Sequence, residues 1–350
     1  MFKEMINRLV NGEDLTEGQM VDAMETIMGG EATHSQMAAF LTALRMKGET
    51  VAEIAGAARV MRERATPMKL GVEVVDIDRE EINVERETMV DTCGTGGDST
   101  NTFNISTATA FVLAGAGLTV AKHGNRSVSS LCGSADVLEA LGVNLEVTTE
   151  VVQSCISKVG IGFMFAPLFH SAMKHVAPVR REMGIRTVFN ILGPLANPAG
   201  AKRQVLGVYK RELVPVMAEV LGRLGAIRAM VVHGGDGLDE ITITGPTFVA
   251  ELNAGVVTQY EVSPEQFGIP VSTLEDIKGG DAGENADIIR KVLGGEPGPC
   301  RDVVLLNAAA ALYVAERAPD IKGGLVLAAE AIDNGSSRAK LTALVEATNR

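Results

Sequence analysis

From residue 88 onward, short apolar runs alternate with longer stretches of helical spacing. The runs 88–92, 118–121, 161–165, 205–209 and 229–233 predict buried strands, and segments such as 106–116 and 213–224 predict helices between them. Strands that alternate with helices pair in parallel, so the sequence predicts an α/β lobe with a mostly parallel central sheet flanked by helices. The stretch 167–184, with Pro178 inside it, interrupts the rhythm with short helical pieces.

The first part of the chain predicts a different layout. Thr16 with Gln19, Thr33 with Gln36, and Thr50 with Glu53 each fit the reciprocal cap that opens a helix, and Gly29 with Gly30, then Gly48, then Pro67 supply stops. Between these signals Met20, Ala23, Met24 and Ile27, and then Met37, Phe40, Leu41 and Leu44, recur at helical spacing as packing stripes. An acidic, Val- and Ile-rich segment at 71–87 marks a linker or exposed hairpin. The expected division is a small helical lobe over 1–70, with 167–186 packing back on it, and a larger α/β lobe from 71–166 and 187–350.

A chain of 350 residues, 46% hydrophobic and 22% charged, can bury a sizeable core. Its net charge of −12 argues against a nucleic-acid surface, so an anionic ligand must be met by locally focused positive groups. The four cysteines show neither zinc spacing nor a disulfide framework, and no apolar run reaches membrane-spanning length. A reduced cytoplasmic setting without membrane or nucleic-acid partners is expected. Cys93 beside a glycine loop predicts a small buried strand-end residue in preference to a nucleophile.

Three separated segments carry phosphate-binding chemistry. GTGGD at 94–98 follows a strand and lacks the third glycine of a dinucleotide fingerprint, and no GxxxxGK[ST] occurs anywhere. Its glycines allow either close backbone approach to a ligand or simply a turn geometry. Beyond it Thr102, Asn104, Ser106 and Thr107 gather polar groups at a helix start, where they can cap the helix or bind phosphate and metal. KHGNRSVSS at 122–130 adds Lys122 as a point charge, and Asn125, Arg126, Ser127, Ser129 and Ser130 as donors. His123 within it is expected to be structural. Asp239 and Glu240, adjacent acids after a strand and a glycine-rich turn, form a magnesium-type carboxylate pair or a charged surface turn. One of Lys174, His175, Arg180, Arg181 and Arg186 facing a cleft can hold a carboxylate bidentately.

GTGGD, NIST at 104–107, KHGNRSVSS and VRREMGIRTVFNILGPLANP at 179–198 together resemble the anthranilate phosphoribosyltransferase family over most of the chain. The resemblance implies transfer of the phosphoribosyl group of 5-phosphoribosyl 1-pyrophosphate (PRPP) to the amine of anthranilate, and a homodimer joined through the helical lobe. It assigns PRPP binding to Gly94, Gly97, Asp98, Thr102, Asn104, Ile105, Ser106, Thr107, Lys122, His123, Gly124, Asn125, Arg126, Ser127, Val128, Ser129, Ser130 and Ser134. Anthranilate contacts fall on Gly94, Asn125 and Arg180. Magnesium ligands fall on Ser106, Asp239 and Glu240, with two ions per subunit, and no residue is implied as acid or base. A pyrimidine nucleoside phosphorylase shares this fold, but its sequence after the lysine of the second loop differs. A non-catalytic nucleic-acid-binding relative would show eroded loops and a basic cleft.

Overall fold

The computed structural model describes residues 1–68, 89–127 and 131–350. The acidic segment 71–87 and three site candidates, Val128, Ser129 and Ser130, lie outside the described residues.

Helices α1 (Phe2–Val10), α2 (Glu17–Met28), α3 (His34–Lys47) and α4 (Val51–Glu63) open the chain. The last three each begin on a full reciprocal cap, at Thr16, Thr33 and Thr50. The methionine and leucine stripes of α2 and α3 are buried along their length. Helix α4 stops at Glu63 on Arg64, short of Pro67, so the proline follows the stop without causing it.

Seven strands form one sheet in the order β3-β2-β1-β4-β5-β6-β7. The first five, β1 (Val90–Gly94), β2 (Val120–Gly124), β3 (Ile161–Phe165), β4 (Arg203–Gly207) and β5 (Arg228–Gly234), are parallel. Strands β1 and β2 extend two and three residues further than the apolar runs suggest. Lys122 and Gly124 therefore lie within β2, and Gly94 pairs with Gly207 at the end of β1. Strands β6 (Thr247–Asn253) and β7 (Val256–Val262) add an antiparallel hairpin that the apolar runs did not indicate. Most of β7 lies at the surface, so it lacks the buried apolar signature that exposes β1 to β5.

Alternation along the strands divides the core in two. Val90, Val120, Val205, Met230 and Val232 face α5 (Ile105–Gly115) and the C-terminal helices, among them Pro299–Val314. Cys93, Leu206, Val208 and Val231 face the other way, onto Met20, Phe40 and Leu44 of the helical bundle, and Val176 and Val179 join the same cluster. The chain builds outward from β1 through β2 to β3, then returns to place β4 on the opposite side of β1. The crevice beyond the carboxyl ends of β1 and β4 is thus the topological switch point, where open α/β sheets bind ligands.

Candidate active site

At that switch point the glycine loop meets the two acids. Thr95 N–H donates to Gly207 O at 2.9 Å, which keeps the start of the loop pressed on the end of β4. Gly96 and Gly97 then take φ of 71° and 75°, a region that costs side-chain-bearing residues strain, and Gly96 N–H donates to Asp239 Oδ2 at 2.6 Å. A Cβ at Gly94 would collide with the Asp239 carboxylate, and one at Gly207 with the Asp239 carbonyl. Glycine is needed at both strand ends because the acidic turn lies directly on them.

Asp239 and Glu240 are 9% and 6% exposed. Burial pushes the Asp239 carboxyl well above its ordinary value, and repulsion from Asp98 and Glu240 adds to the rise. Burial raises Glu240 to about 7, Lys122 pulls it down, and Asp98 pushes it up; the Ser106 N–H and hydroxyl also favour its charged form. Lys122 is buried, and its Nζ donates to Thr92 O at 2.7 Å and Ser106 Oγ at 3.1 Å. Lys122 offsets Glu240, while Asp239 meets the like charges of Asp98 and Glu240, an excess of negative charge that a cation relieves.

Among the described residues no three His, Cys, Asp or Glu side chains converge as a complete metal nest. A carboxylate pair with a neighbouring hydroxyl still suits magnesium, which keeps waters and completes its shell with substrate phosphate. The donor set therefore fits that ion and does not fit the closed cages of structural zinc.

The remaining candidates divide by geometry. Asn104 stands at the N-cap of α5 but makes no side-chain cap. Instead its Nδ2 donates to Cys132 O at 3.2 Å and its Oδ1 accepts from Asn285 Nδ2 at 3.0 Å, tying the first loop towards the second. Thr102 bridges to Lys278. Ile105 is a core side chain, so any contact from it to a ligand must come from its backbone, and Thr107 is likewise buried. His123 faces away from Lys122: its Nδ1 lies 3.2 Å from Gly193 O and its Nε2 3.2 Å from His170 Nε2. The strand's two-residue period turns these neighbours to opposite faces, which removes the His123 ring from the crevice.

The second loop is fastened by Asp136, whose Oδ2 accepts from Ser127 N–H at 3.1 Å and Gly133 N–H at 2.8 Å. Ser134 Oγ donates to Asn125 O at 3.3 Å. Gly124 has no room for a Cβ beside Ser134 and Phe163. The exposed Arg126 already holds Glu139 bidentately, at 2.5 and 2.7 Å, and Asp136 at 3.0 Å. Phosphate binding by Arg126 requires exchange of these carboxylates.

Arg180 is half-buried over the Phe189 ring, its Cζ 5.5 Å from the centroid, and burial lowers its pKa. Among the described residues it has no carboxylate partner. Arg186, by contrast, is engaged: its guanidinium bonds to Gly97 O and lies 4.5 Å over the Tyr209 ring. Only its place in a basic run marked Arg186 in the sequence, and nothing marked Tyr209.

Behind the sheet, a polar layer fixes the segment that follows Arg186. Asn197 Nδ2 donates to Asp91 Oδ2 at 2.8 Å and to Ala121 O at 2.9 Å, and Gln204 Nε2 donates to Pro194 O at 2.8 Å. Cys93 lies in this layer, and burial drives its thiol pKa well up, which suits packing and not nucleophilic attack. Burial also lowers His123 to about 3 and His170 to about 4. Groups that resist protonation when folded contribute stability that is full above the unfolded histidine pKa and declines as pH falls below it. His170→Gln is therefore expected to flatten the fall in Tm between about pH 7 and pH 5 relative to the parent protein. Parallel curves for the two would refute the neutral histidine pair.

The family described as "Glycosyl transferase family, helical bundle domain" matches residues 3–65, and "Glycosyl transferase family, a/b domain" matches residues 86–338. An anthranilate phosphoribosyltransferase from Trichlorobacter lovleyi is 57% identical over 349 residues, with all of both chains covered. The crystal structure of the Thermus thermophilus anthranilate phosphoribosyltransferase superposes with a TM-score of 0.90 at 44% identity, covering 99% of each chain. The Saccharomyces cerevisiae enzyme, in complex with PRPP and Mg, superposes with a TM-score of 0.87 at 28% identity, covering 99% of this chain and 98% of that one. Identity of this extent over both lobes leaves one assignment: the chain belongs to the anthranilate phosphoribosyltransferase family.

Proposed function

We propose that this protein transfers the 5-phosphoribosyl group of PRPP to the amine of anthranilate, giving N-(5-phosphoribosyl)anthranilate and pyrophosphate. The observation that carries the reading is the pair of buried acids seated on the glycine loop at the sheet's switch point. The reaction forms a bond from the amine nitrogen to C1 of the ribose, breaks the C1 bond to pyrophosphate oxygen, and releases the amine proton. An aromatic amine is a neutral nucleophile at working pH, so positioning and charge stabilisation supply the rate and no strong base is required.

The loop N–H groups around Gly97 and Asp98, Lys122 and the Asn125 to Ser127 segment would bind the phosphates. Asp239, Glu240 and the Ser106 hydroxyl would hold magnesium, as two ions per subunit. Held there, the ion would supply positive charge against the pyrophosphate leaving group. Arg180, with Gly94 and Asn125 nearby in the assignment, would orient the anthranilate carboxylate. A cytoplasmic location fits four free thiols, and among the described residues no helix is long and apolar enough to cross a membrane. Exposed Val10 and Met46 on the helical bundle support assembly as a homodimer through that lobe.

The test is the loss of anthranilate fluorescence on addition of PRPP to the purified protein, with and without magnesium. Magnesium-dependent loss matched by pyrophosphate release is expected. No loss at high protein concentration, with phosphorolysis of thymidine or uridine instead, would overturn the assignment.

A further inference from the structure

Glu240 is followed at once by Ile241, whose backbone is held by a side chain where no strand is present. Asn307, 1% exposed on helix Pro299–Val314, accepts the Ile241 N–H on Oδ1 at 3.0 Å and donates from Nδ2 to Ile241 O at 2.8 Å. Its second Nδ2 hydrogen goes to Val303 O, 2.9 Å away and one turn earlier in the helix. One buried amide thus satisfies both polar groups of a single residue. The same turn is fastened from its other side by Asp236. Its Oδ2 accepts the Thr242 and Thr244 hydroxyls at 2.7 and 2.6 Å, and its Oδ1 accepts the Leu238 N–H at 3.0 Å. The two clamps bracket Asp239 and Glu240.

The clamps have a physical task. Two adjacent carboxylates in a buried turn repel one another and gain solvation by moving outward, so the metal-free turn tends to open. An amide that captures both backbone polar groups of the next residue opposes that motion without adding charge. We infer that Asn307 is a positioning residue that fixes the Asp239 and Glu240 carboxylates for divalent-cation and pyrophosphate binding, an inference that rests on the proposed function of this site. It acts through the Ile241 backbone and touches no substrate.

The test compares Asn307→Ala with Glu251→Gln, which weakens the buried Arg228–Glu251 pair at the far end of β5 and β6 and serves as a destabilised control. Free Mn2+ is followed by electron paramagnetic resonance in the presence of pyrophosphate, and turnover is followed against magnesium. For Asn307→Ala the Mn2+ dissociation constant and the half-saturating magnesium concentration are each expected to rise by about tenfold, while the KM for anthranilate holds. Glu251→Gln should lower Tm and leave both metal readings unchanged. If Asn307→Ala does not fold, Asn307→Asp carries the comparison, since it keeps the acceptor for Ile241 N–H and removes the donor to Ile241 O. A folded Asn307 variant of lowered Tm that binds Mn2+ like the parent would overturn the inference. A parent protein that binds Mn2+ without transferring phosphoribose would overturn the proposed function, and the Mn2+ comparison would still decide the role of Asn307.

Discussion

Replacing Asp239 by Asn and Glu240 by Gln together is expected to lower turnover at limiting magnesium by about 10³-fold while raising the Tm of the metal-free protein above about pH 7. Both effects have one cause. Glu240 is raised by burial to about 7, and Asp239 is raised further by burial with repulsion from Asp98 and Glu240. A carboxyl whose folded pKa exceeds its unfolded value contributes stability when protonated and loses it as pH climbs through the folded value. The metal-free fold therefore weakens between about pH 5 and pH 8, in the range where the deprotonated pair is ready for a cation. Amides remove that self-repulsion along with the ligands. Thermal melts at both ends of this range, paired with magnesium titrations of turnover, check the two halves together. Unchanged magnesium dependence would sink the metal assignment. A Tm that fell at high pH would instead mean that the carboxylates are stabilised by partners inside the fold.

Much of this site was legible because its signals are local. A capping box spans four residues, so Thr16, Thr33 and Thr50 announced their helices unaided, and the apolar runs 88–92, 118–121 and 205–209 marked parallel strands by composition, though not the glycines that end β1 and β2. The glycine loop, the lysine loop and the acidic pair were each visible, but not the reason the glycines are required. That reason is the pressure of Asp239 on residues 145 and 32 positions earlier in the chain. Contacts across such separations leave no trace in local periodicity. For the same reason the Asp91, Asn197 and Gln204 network passed unnoticed, as did Arg186 on Gly97. Asn307 did leave one mark, a lone amide in the apolar run LLNAAAAL, where a polar residue needs a partner to be buried. His123 was expected to be structural in spite of its neighbours in KHGNRSVSS, and one step along a strand does turn its ring to the opposite face from Lys122, onto Gly193 O and His170.

Arg180→Ala is expected to raise the KM for anthranilate by about 100-fold and to change the KM for PRPP by less than about twofold, since a charge-assisted bidentate contact contributes roughly 3 kcal/mol. The argument begins from what Arg180 lacks. Other partly buried arginines of this chain are engaged: Arg228 with Glu251, Arg203 with Glu316, and Arg62 with the carbonyls of Leu195 and Leu224. Arg180 instead lies over Phe189 with its charge disfavoured by burial and no carboxylate among the described residues to offset it. A carboxylate ligand supplies the missing charge, and the planar guanidinium fork matches two carboxylate oxygens at once. Arg180→Lys should recover little, because an ammonium cannot reproduce the planar fork. The decisive comparison uses aniline, which keeps the amine and lacks the carboxylate. The parent protein should favour anthranilate strongly, and Arg180→Ala should erase most of that preference by losing anthranilate alone. If both substrates suffered equally, Arg180 would be acting on the fold of the 177–186 segment, and the carboxylate would have to be sought at Arg186.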